Sequence, residues 1–337
     1  MDPHAALAEI AFRLERERAE PFRIQAFRRA AEAVAALSEA DLAERLGDGR
    51  LKSTKGVGGR SLEVIGQALA GGVPDYLQGL RDRADAPPSA AGAALLSQLR
   101  GDLHTHSEWS DGTTPIALMT QAAVLLGREY IALTDHSRGL SIANGLSEER
   151  LAHQLDVLAG FEEPGLRLLP GIEVDVLDDG TLDQEAALLD RLDVVVASLH
   201  GHLRAESAEI TARLLGAVGD PHTNVIGHIT GRLVEGRRGQ RPQSAFDADR
   251  VFAAAAEAGV AIEINSRPER QDPPDDLLAR ALEAGCLFSI DTDAHAPGHL
   301  DFLGLGAERA AAAGVPPERI ITTWPVDRLL EWTHARR

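Results

Sequence analysis

Two histidines separated by one residue, His104 and His106, begin the clearest chemical pattern in the chain. They follow a short apolar lead-in, and in a β-strand residues i and i+2 point to the same face. The carboxylate of Asp111 follows in the next predicted loop. Two imidazoles and one carboxylate that converge at a strand end are the beginning of a metal site.

Side chains of the same chemistry recur along the chain, each near the end of a strand-like run. They are His136, Glu173, His200, His228, Asp293 and His295. A single histidine of this kind is more often a hydrogen-bonded structural residue than a ligand, but joint placement at six of seven strand ends indicates a shared site. One tetrahedral ion takes about four ligands, so the full set predicts two or three ions with a bridging carboxylate.

The donor types also narrow the choice of metal. A mixed set of imidazoles and carboxylates suits Zn²⁺, Mn²⁺ or Fe²⁺, and it does not suit Mg²⁺ or Ca²⁺ as the resident ion. We therefore expect two to three divalent ions of the first group as cofactors.

Alternating strand-like and helix-like runs from about residue 97 would bring these side chains together. The predicted strands are 102–106, 130–134, 166–172, 193–199, 224–229, 260–265 and 287–291, and the predicted helices are 115–126, 147–159, 204–217, 244–258, 274–284, 302–313 and 325–335. This alternation predicts a mostly parallel sheet. Seven strands without a dinucleotide fingerprint favour a closed α/β barrel, whose active site lies at the C-terminal strand ends.

The first part of the chain predicts a different class of structure. Apolar spacing indicates helices over 5–19, from Pro21, from Ser38 and over 74–83, which together make a small all-α domain at 1–84. Residues 85–96 are rich in Pro, Ala and Gly and predict a linker to a domain at 97–337.

A glycine-rich turn lies inside the helical part. Gly56 and Gly58 permit a tight turn that would expose amides at the next helix N-terminus, where a phosphate is favoured. Lys52, Lys55 and Arg60 surround this turn. Two interpretations remain open, a DNA-binding hairpin and a plain turn between helices.

Composition limits the possible partners and compartment. The net charge is −18, which argues against a generally sticky nucleic-acid binder, although the charges of residues 1–86 nearly balance. The chain has one cysteine, Cys286, and shows no leader and no apolar run long enough for a membrane span. We therefore expect a cytoplasmic protein without membrane contact.

Residues 101–337 resemble a PHP domain (polymerase and histidinol phosphatase). The matching segments are DLHTHSEWSDG, ALTDHS, GIEVD, VVASLH, VIGHITGRL and DTDAH. The resemblance implies a distorted (β/α)₇ TIM-like barrel with a trinuclear centre and assigns all nine donors to ligand positions. GHITGRL, DGTLD and the tail from HLDFLGLG to LLEW are most similar to the C-terminal PHP domain of bacterial family X DNA polymerases.

The helical part strengthens that resemblance. EPFRIQAFRRAAEAVAAL and KSTKGVGGRSLEVIG are similar to the small helix-hairpin-helix domain that opens family X polymerases. No fingers, palm or thumb stands between the two parts, so we expect no polymerase activity. Val64 occupies the position of the Schiff-base lysine of members with lyase activity, and a Schiff base needs an amine.

The resemblance also implies roles for individual residues. Glu173 is expected to bridge two ions and to act in catalysis. The implied groups are His104, His106 and Asp293 on one ion, His200 and His228 on a second, and Asp111, His136 and His295 on a third. Arg232 is a candidate to grip the substrate phosphate, Asn265 and Arg267 could line the mouth, and Asp135 is a candidate catalytic or ligand-supporting residue beside His136.

Three functions compete at this point. The first is a DNA-processing phosphoesterase, acting as a 3′→5′ exonuclease or on 3′ ends in repair, with DNA delivered by Lys52, Lys55, Gly56, Gly58 and Arg60. The second is a small-molecule phosphatase for a histidinol-phosphate-like substrate or a nucleotide monophosphate, which the acidic barrel favours. The third is a non-enzymatic recruitment module, against which the full donor set argues.

Overall fold

The computed structural model describes residues 1–83, 88–236 and 239–337. Contacts within the chain divide it into two compact units, Met1–Pro87 and Pro88–Arg337. The predicted linker at 85–96 falls across this division. Its residues 85–87, and residue 84 before them, lie outside the described residues.

The described residues of the first unit form five α-helices: α1 (Pro3–Arg16), α2 (Pro21–Ala35), α3 (Glu39–Gly47), α4 (Gly59–Leu69) and α5 (Asp75–Arg81). The helices bury one apolar stripe each, as their spacing predicts, and Leu7, Ile10 and Leu14 of α1 are fully buried. Ser38 caps α3 by accepting from the Asp41 amide, and the Asp41 side chain accepts from the Ser38 amide in return. The predicted all-α character of this unit is confirmed.

Seven strands form the sheet of the second unit, and each pairs in parallel with the next along the chain. The strands are β1 (Gly101–Thr105), β2 (Tyr130–Leu133), β3 (Arg167–Asp175), β4 (Val194–Ser198), β5 (Val225–Gly227), β6 (Ala261–Asn265) and β7 (Leu287–Asp291). A parallel bridge between Thr105 and Ala294 joins the first strand to the segment after the last. The predicted seven-stranded, TIM-like barrel is confirmed.

Helix α6 (Ala90–Leu96) precedes the first strand, and the other helices lie between and after the strands: α7 (Ile116–Leu125), α8 (Glu148–Ala159), α9 (Ala186–Leu189), α10 (Ser207–Gly219), α11 (Ala248–Ala258), α12 (Asp275–Glu283), α13 (Leu303–Ala312) and α14 (Val326–His334). The largest apolar cluster packs strand residues such as Ile262 and Ile290 against helix residues such as Phe252 and Leu278. Burial on both sides explains why β4 reads as a continuous apolar run.

The predicted linker is wrong over its second half, where α6 forms. The Ser89 hydroxyl accepts from the Gly92 amide and caps the helix, and Leu95 is buried. Gly92 approaches Glu308 of α13 so closely that a Cβ there would lie 2.0 Å from a carboxylate oxygen. Alanine and leucine are strong helix formers, and contact with the barrel unit overrides the linker-like composition.

Two buried carboxylates accept hydrogen bonds from backbone amides where β1 and β7 lie next to each other. The Leu103 amide donates to Asp291 at 2.7 Å, and the Thr292 amide donates to Asp102 at 3.2 Å. Burial raises the pKa of both carboxyls, that of Asp102 to about 6. These contacts hold the strands that carry His104 and Asp293 side by side.

In the part of the chain that the structure describes, none of the helices has both the length and the apolar character needed to cross a membrane.

Candidate metal centre

The nine predicted donors meet at the C-terminal ends of the barrel strands. His104 and Glu173 lie within β1 and β3, and the other seven follow their strands in the connecting loops. Their ligating atoms form four overlapping groups, in each of which all atoms lie within 4.8 Å of one another. The groups are His106, Asp111, His136 and His295; His104, Glu173 and His228; His104, His106 and Asp293; and His136, Glu173 and His200.

Glu173 stands at the centre of this cluster. Its Oε1 lies 2.9 Å from His228 Nε2 and 3.3 Å from His200 Nε2. Its Oε2 lies 2.7 Å from His136 Nδ1 and 3.3 Å from His104 Nε2. The two oxygens thus face different imidazoles, and Glu173 would be able to offer one oxygen to each of two ions.

Two further carboxylates complete the outer parts of the cluster. Asp293 Oδ1 lies 3.3 Å from His106 Nε2, and Asp111 Oδ1 lies 3.1 Å from His295 Nε2 and 3.4 Å from His136 Nε2. The second pair of contacts matches the third group that the resemblance implies. The grouping of His200 with His228 differs, since each shares a group with Glu173 but not with the other.

Many of these polar atoms are buried without a hydrogen-bond partner among the described residues. They include Nε2 of His104, both ring nitrogens of His106 and His200, Nδ1 of His136 and of His228, and Oε2 of Glu173. Buried polar groups in native proteins are nearly always satisfied. Their concentration at one place, on imidazoles and carboxylates, therefore fits divalent metal ions.

The charges of the cluster offset one another. Burial alone would raise the pKa of Glu173, but the neighbouring imidazoles hold it well below the ordinary value. Burial lowers the pKa of His106 and His228. At His136 burial is outweighed by Glu173 and Asp111, which raise the pKa to about 10. Without metal, the cluster thus keeps protons that incoming ions must displace.

The backbone is strained at two donors. His228 has φ 22° and Asp293 has φ 51°, a region that residues other than glycine rarely adopt. Such strain persists where the surroundings over-determine the conformation, as they do in a site that must aim several side chains at one point. The strain at His228 also explains why β5 ends at Gly227, earlier than predicted.

The Asp135 carboxylate supports a loop, and among the described residues none of its hydrogen bonds reaches one of the nine donors, although the Asp135 carbonyl accepts from the Glu173 amide at 3.2 Å. Its carboxylate accepts from the amide and hydroxyl of Ser107, the hydroxyl of Ser110 and the amide nitrogen of Gln154. These contacts fix the loop that leads from β1 to Asp111. These contacts are those of a ligand-supporting residue, and a catalytic role for Asp135 stays a prediction.

Arg232 contacts the backbone of the loop after β6, and its expected role in gripping the substrate phosphate stays a prediction. Its Nε donates to the Arg270 carbonyl at 3.1 Å, and one terminal nitrogen donates to the Gln271 carbonyl. Arg270 instead lies against the cluster, where its Nε donates to Asp293 Oδ2 at 3.0 Å. Sequence reasoning did not identify Arg270. Its position in the loop after β6 was a signal, because loops at the C-terminal strand ends surround the site in such barrels.

Asn265 and Arg267 border the same carboxylate. Asn265 Nδ2 lies 3.5 Å from Asp293 Oδ2, and a terminal nitrogen of Arg267 donates to the Asp293 carbonyl at 3.2 Å. Sequence reasoning assigned no role to Glu263, which lies 2.6 Å from His104 Nδ1. A charged residue in the middle of the apolar strand AIEIN was the available signal.

The glycine-rich turn lies in the helical unit. Lys52, Lys55 and Arg60 are exposed, and Gly58 caps α4. Gly56 has φ +96°, and a Cβ there would lie 2.9 Å from the Arg29 carbonyl oxygen, so the turn requires glycine. Val64, at the position of the family's Schiff-base lysine, is fully buried in the helical core.

Fold and site together define a parallel (β/α)₇ barrel with a multi-donor metal centre at its C-terminal strand ends. Residues 102–267 match the family model described as PHP domain. A probable phosphatase from Thermoanaerobacter sp. (strain X514) is 30% identical over 205 residues, which cover 58% of this chain and 78% of that protein. The chain belongs to the PHP domain family, and its enzyme class is that of a phosphoester hydrolase.

Two other similarities extend this comparison. The DNA polymerase/3′-5′ exonuclease PolX of Bacillus subtilis (strain 168) is 40% identical over 219 residues, which make up 64% of this chain but only 37% of that protein. The chain thus matches little more than a third of that relative's length. The crystal structure of histidinol phosphate phosphatase from Lactococcus lactis subsp. lactis Il1403, complexed with zinc, L-histidinol and phosphate, superposes with a TM-score of 0.47 at 19% identity, covering 64% of this chain and 94% of that one.

Proposed function

We propose that this chain hydrolyses phosphoester bonds in DNA, as a 3′→5′ exonuclease or a 3′-end processing enzyme, at two to three divalent ions held by the nine donors. The observation that carries the metal-dependent part is the set of four overlapping groups of imidazoles and carboxylates, in each of which the ligating atoms lie within 4.8 Å of one another. The similarity to a 3′-5′ exonuclease, over 219 residues, supports the DNA part. So does the exposed basic turn of the helical unit.

Divalent ions bound here would supply a nucleophilic water at neutral pH and neutralise charge on phosphoryl oxygens. Net hydrolysis forms a bond from the water oxygen to phosphorus, breaks the bond to the leaving oxygen and delivers a proton to that oxygen. Zn²⁺, Mn²⁺ and Fe²⁺ all suit the donor set.

Two arginines beside the cluster are suited to hold the phosphoryl group. Arg270 lies on Asp293 through Nε, and its NH1 is buried without a partner among the described residues. Arg267 approaches the Asp293 carbonyl and His295. Guanidinium groups bind phosphate oxygens through charge-assisted hydrogen bonds. We propose that Arg270 and Arg267 contact the phosphate, and that Arg232 supports the loop that carries Arg270.

DNA binding is proposed for the basic turn of Lys52, Lys55, Gly56, Gly58 and Arg60. Exposed lysines and helix-terminal amides suit backbone phosphates and carry no base specificity. A cytoplasmic location remains a prediction.

A paired charge reversal separates DNA from small substrates. Lys52→Glu with Lys55→Glu should weaken hydrolysis at recessed 3′ ends and reduce the salt slope of DNA binding by about two. Hydrolysis of p-nitrophenyl phosphate should not change, because that substrate needs only the barrel. A matched control is Arg250→Glu with Arg280→Glu, which makes the same change in net charge on helices α11 and α12.

The alternative is a small-molecule phosphatase for a histidinol-phosphate-like substrate or a nucleotide monophosphate, which the net charge of −18 favours. Equal DNA activity in the wild type and the lysine variant, together with faster turnover of histidinol phosphate than of any DNA end, would contradict the DNA assignment and support this alternative.

A further inference from the structure

Glu263 is a fully buried carboxylate on β6 that no other part of the proposed mechanism uses. Its Oε1 lies 2.6 Å from His104 Nδ1. Its Oε2 accepts from the His228 amide at 2.5 Å and from Asn265 Nδ2 at 3.1 Å. One side chain thus contacts two donor residues, His104 within β1 and His228 directly after β5.

The contact with Glu263 decides which ring nitrogen of His104 carries the proton. An ionised carboxylate only accepts hydrogen bonds, so the nitrogen that faces it carries the proton. With the proton on Nδ1, the neutral ring presents the lone pair of Nε2, which points toward Glu173 and Asp293 at 3.3 and 3.9 Å. A metal-binding imidazole needs this arrangement, and an outer carboxylate also makes the ring a stronger donor.

The second oxygen of Glu263 adds a restraint on the backbone. The amide that donates to it belongs to His228, whose φ of 22° is unfavourable for a residue other than glycine. A hydrogen bond of this kind helps to hold the peptide in that conformation. The orientation of His228 therefore depends on the same carboxylate as the tautomer of His104.

We infer that Glu263 is a positioning residue of the metal centre, which selects the Nε2-binding tautomer of His104 and fixes the His228 backbone for the ions held by Glu173. This inference rests on the proposed function, because it takes the nine donors to be metal ligands.

An isosteric change tests the inference, since glutamine has the same shape but cannot satisfy the same three donors. If the glutamine oxygen faces His104, its NH₂ group faces the His228 amide and Asn265, which also donate. If the amide is reversed, the NH₂ group faces Nδ1 and moves the His104 proton to Nε2, which then cannot bind metal. Both orientations harm the site while the side-chain volume stays the same.

The experiment compares wild type, Glu263→Gln and a matched control, Asp183→Asn. Asp183 is also a buried carboxylate, but it accepts from Ser137, Arg138 and the Gly139 amide, and no imidazole of the described residues contacts it. Bound Zn²⁺ or Mn²⁺ is counted by elemental analysis, and its affinity is measured by competition with a chelator. We expect Glu263→Gln to weaken at least one ion by about 10–100-fold, while Asp183→Asn keeps the wild-type affinity.

Two further measurements separate positioning from a general loss of structure. The thermal midpoint of metal-free Glu263→Gln should fall no further than that of Asp183→Asn. In a His104→Ala background, Glu263→Gln should weaken the remaining ions by no more than a factor of a few, because its main target is gone. If Glu263→Gln does not fold, Glu263→Asp, which keeps the charge but withdraws the oxygens, should show the same selective loss of affinity.

Wild-type metal affinity in the folded Glu263 variants would overturn the inference. The proposed function would still stand if the wild type binds ions and hydrolyses phosphoesters. By contrast, a wild type that binds no divalent ion and hydrolyses no phosphoester would sink the proposed function itself.

Discussion

The described part of the helical unit buries an almost wholly apolar core, whereas the barrel unit buries a dense group of imidazoles and carboxylates at its strand ends. The main buried charge in the first unit is the pair of Arg28 and Glu15, joined by two hydrogen bonds of 2.7 and 2.9 Å. In the second unit Glu173 alone has four imidazoles within 3.3 Å.

This difference teaches what each group of polar residues is for. The carboxylate of Glu15 and the guanidinium of Arg28 satisfy each other through two charge-assisted hydrogen bonds. The barrel cluster leaves many buried atoms unsatisfied among the described residues, which is costly for folding unless a ligand completes it. The first arrangement is structural and the second is built to bind.

The largest effect is expected from removing two donors of the cluster. His104→Ala with His106→Ala should abolish bound metal and lower phosphoester hydrolysis by roughly a thousandfold or more, since metal ions contribute several kcal/mol to such reactions. Elemental analysis and initial rates check this result. His202→Ala, which removes an exposed imidazole paired with Asp178, serves as the control and should leave both unchanged. Unchanged turnover in the double variant would show that the imidazoles and carboxylates of the barrel unit are not built to bind a catalytic metal.

Breaking the buried pair of the helical unit should affect stability alone. Arg28→Ala removes the two hydrogen bonds that the guanidinium donates to the buried Glu15 carboxylate and should lower the free energy of unfolding of this unit by about 3–5 kcal/mol. All three tryptophans, Trp109, Trp324 and Trp332, lie in the barrel unit, so tryptophan fluorescence follows the barrel while far-UV circular dichroism follows both units.

In the Arg28 variant, metal content and hydrolysis of a small phosphoester should stay at the wild-type level. The double variant Glu15→Leu with Arg28→Met should recover most of the lost stability, because it leaves no unpaired charge. Loss of metal from Arg28→Ala would indicate that the two units are not independent in this respect.

The smallest effect is a pH dependence confined to the barrel. In the metal-free fold the pKa of His136 is raised to about 10, so this imidazole holds a proton at neutral pH that an ion must displace. Metal affinity should therefore rise with pH, by up to about tenfold per pH unit for each displaced proton, and should fall as the pH drops from 9 to 6. Titration calorimetry in two buffers of different ionisation enthalpy counts the released protons. An affinity that is flat over this range would contradict the raised pKa.

Much of the fold was predictable because the local sequence signals for strands, helices and caps agree with the elements that the tertiary structure contains. The strand predicted at 287–291 is β7 itself, and the capping pair Ser38 and Asp41 starts α3 as predicted. The linker prediction failed at 90–96, where the Ala-rich composition indicated a linker but contact of Gly92 with Glu308 stabilises α6. Local composition cannot report a partner that lies more than two hundred residues away in the chain.

The sequence by itself determined the chemistry of this protein: nine donors at strand ends and the periodicity that makes the barrel are both local patterns. Tertiary structure decided which groups meet. It turned Arg232 toward the carbonyls of Arg270 and Gln271, brought Arg270 to Asp293, and aimed Glu263 at His104. These contacts depend on loop paths and on the register between strands that are distant in sequence. A list of residue types does not contain that information, because spacing along one strand says nothing of what lies opposite it.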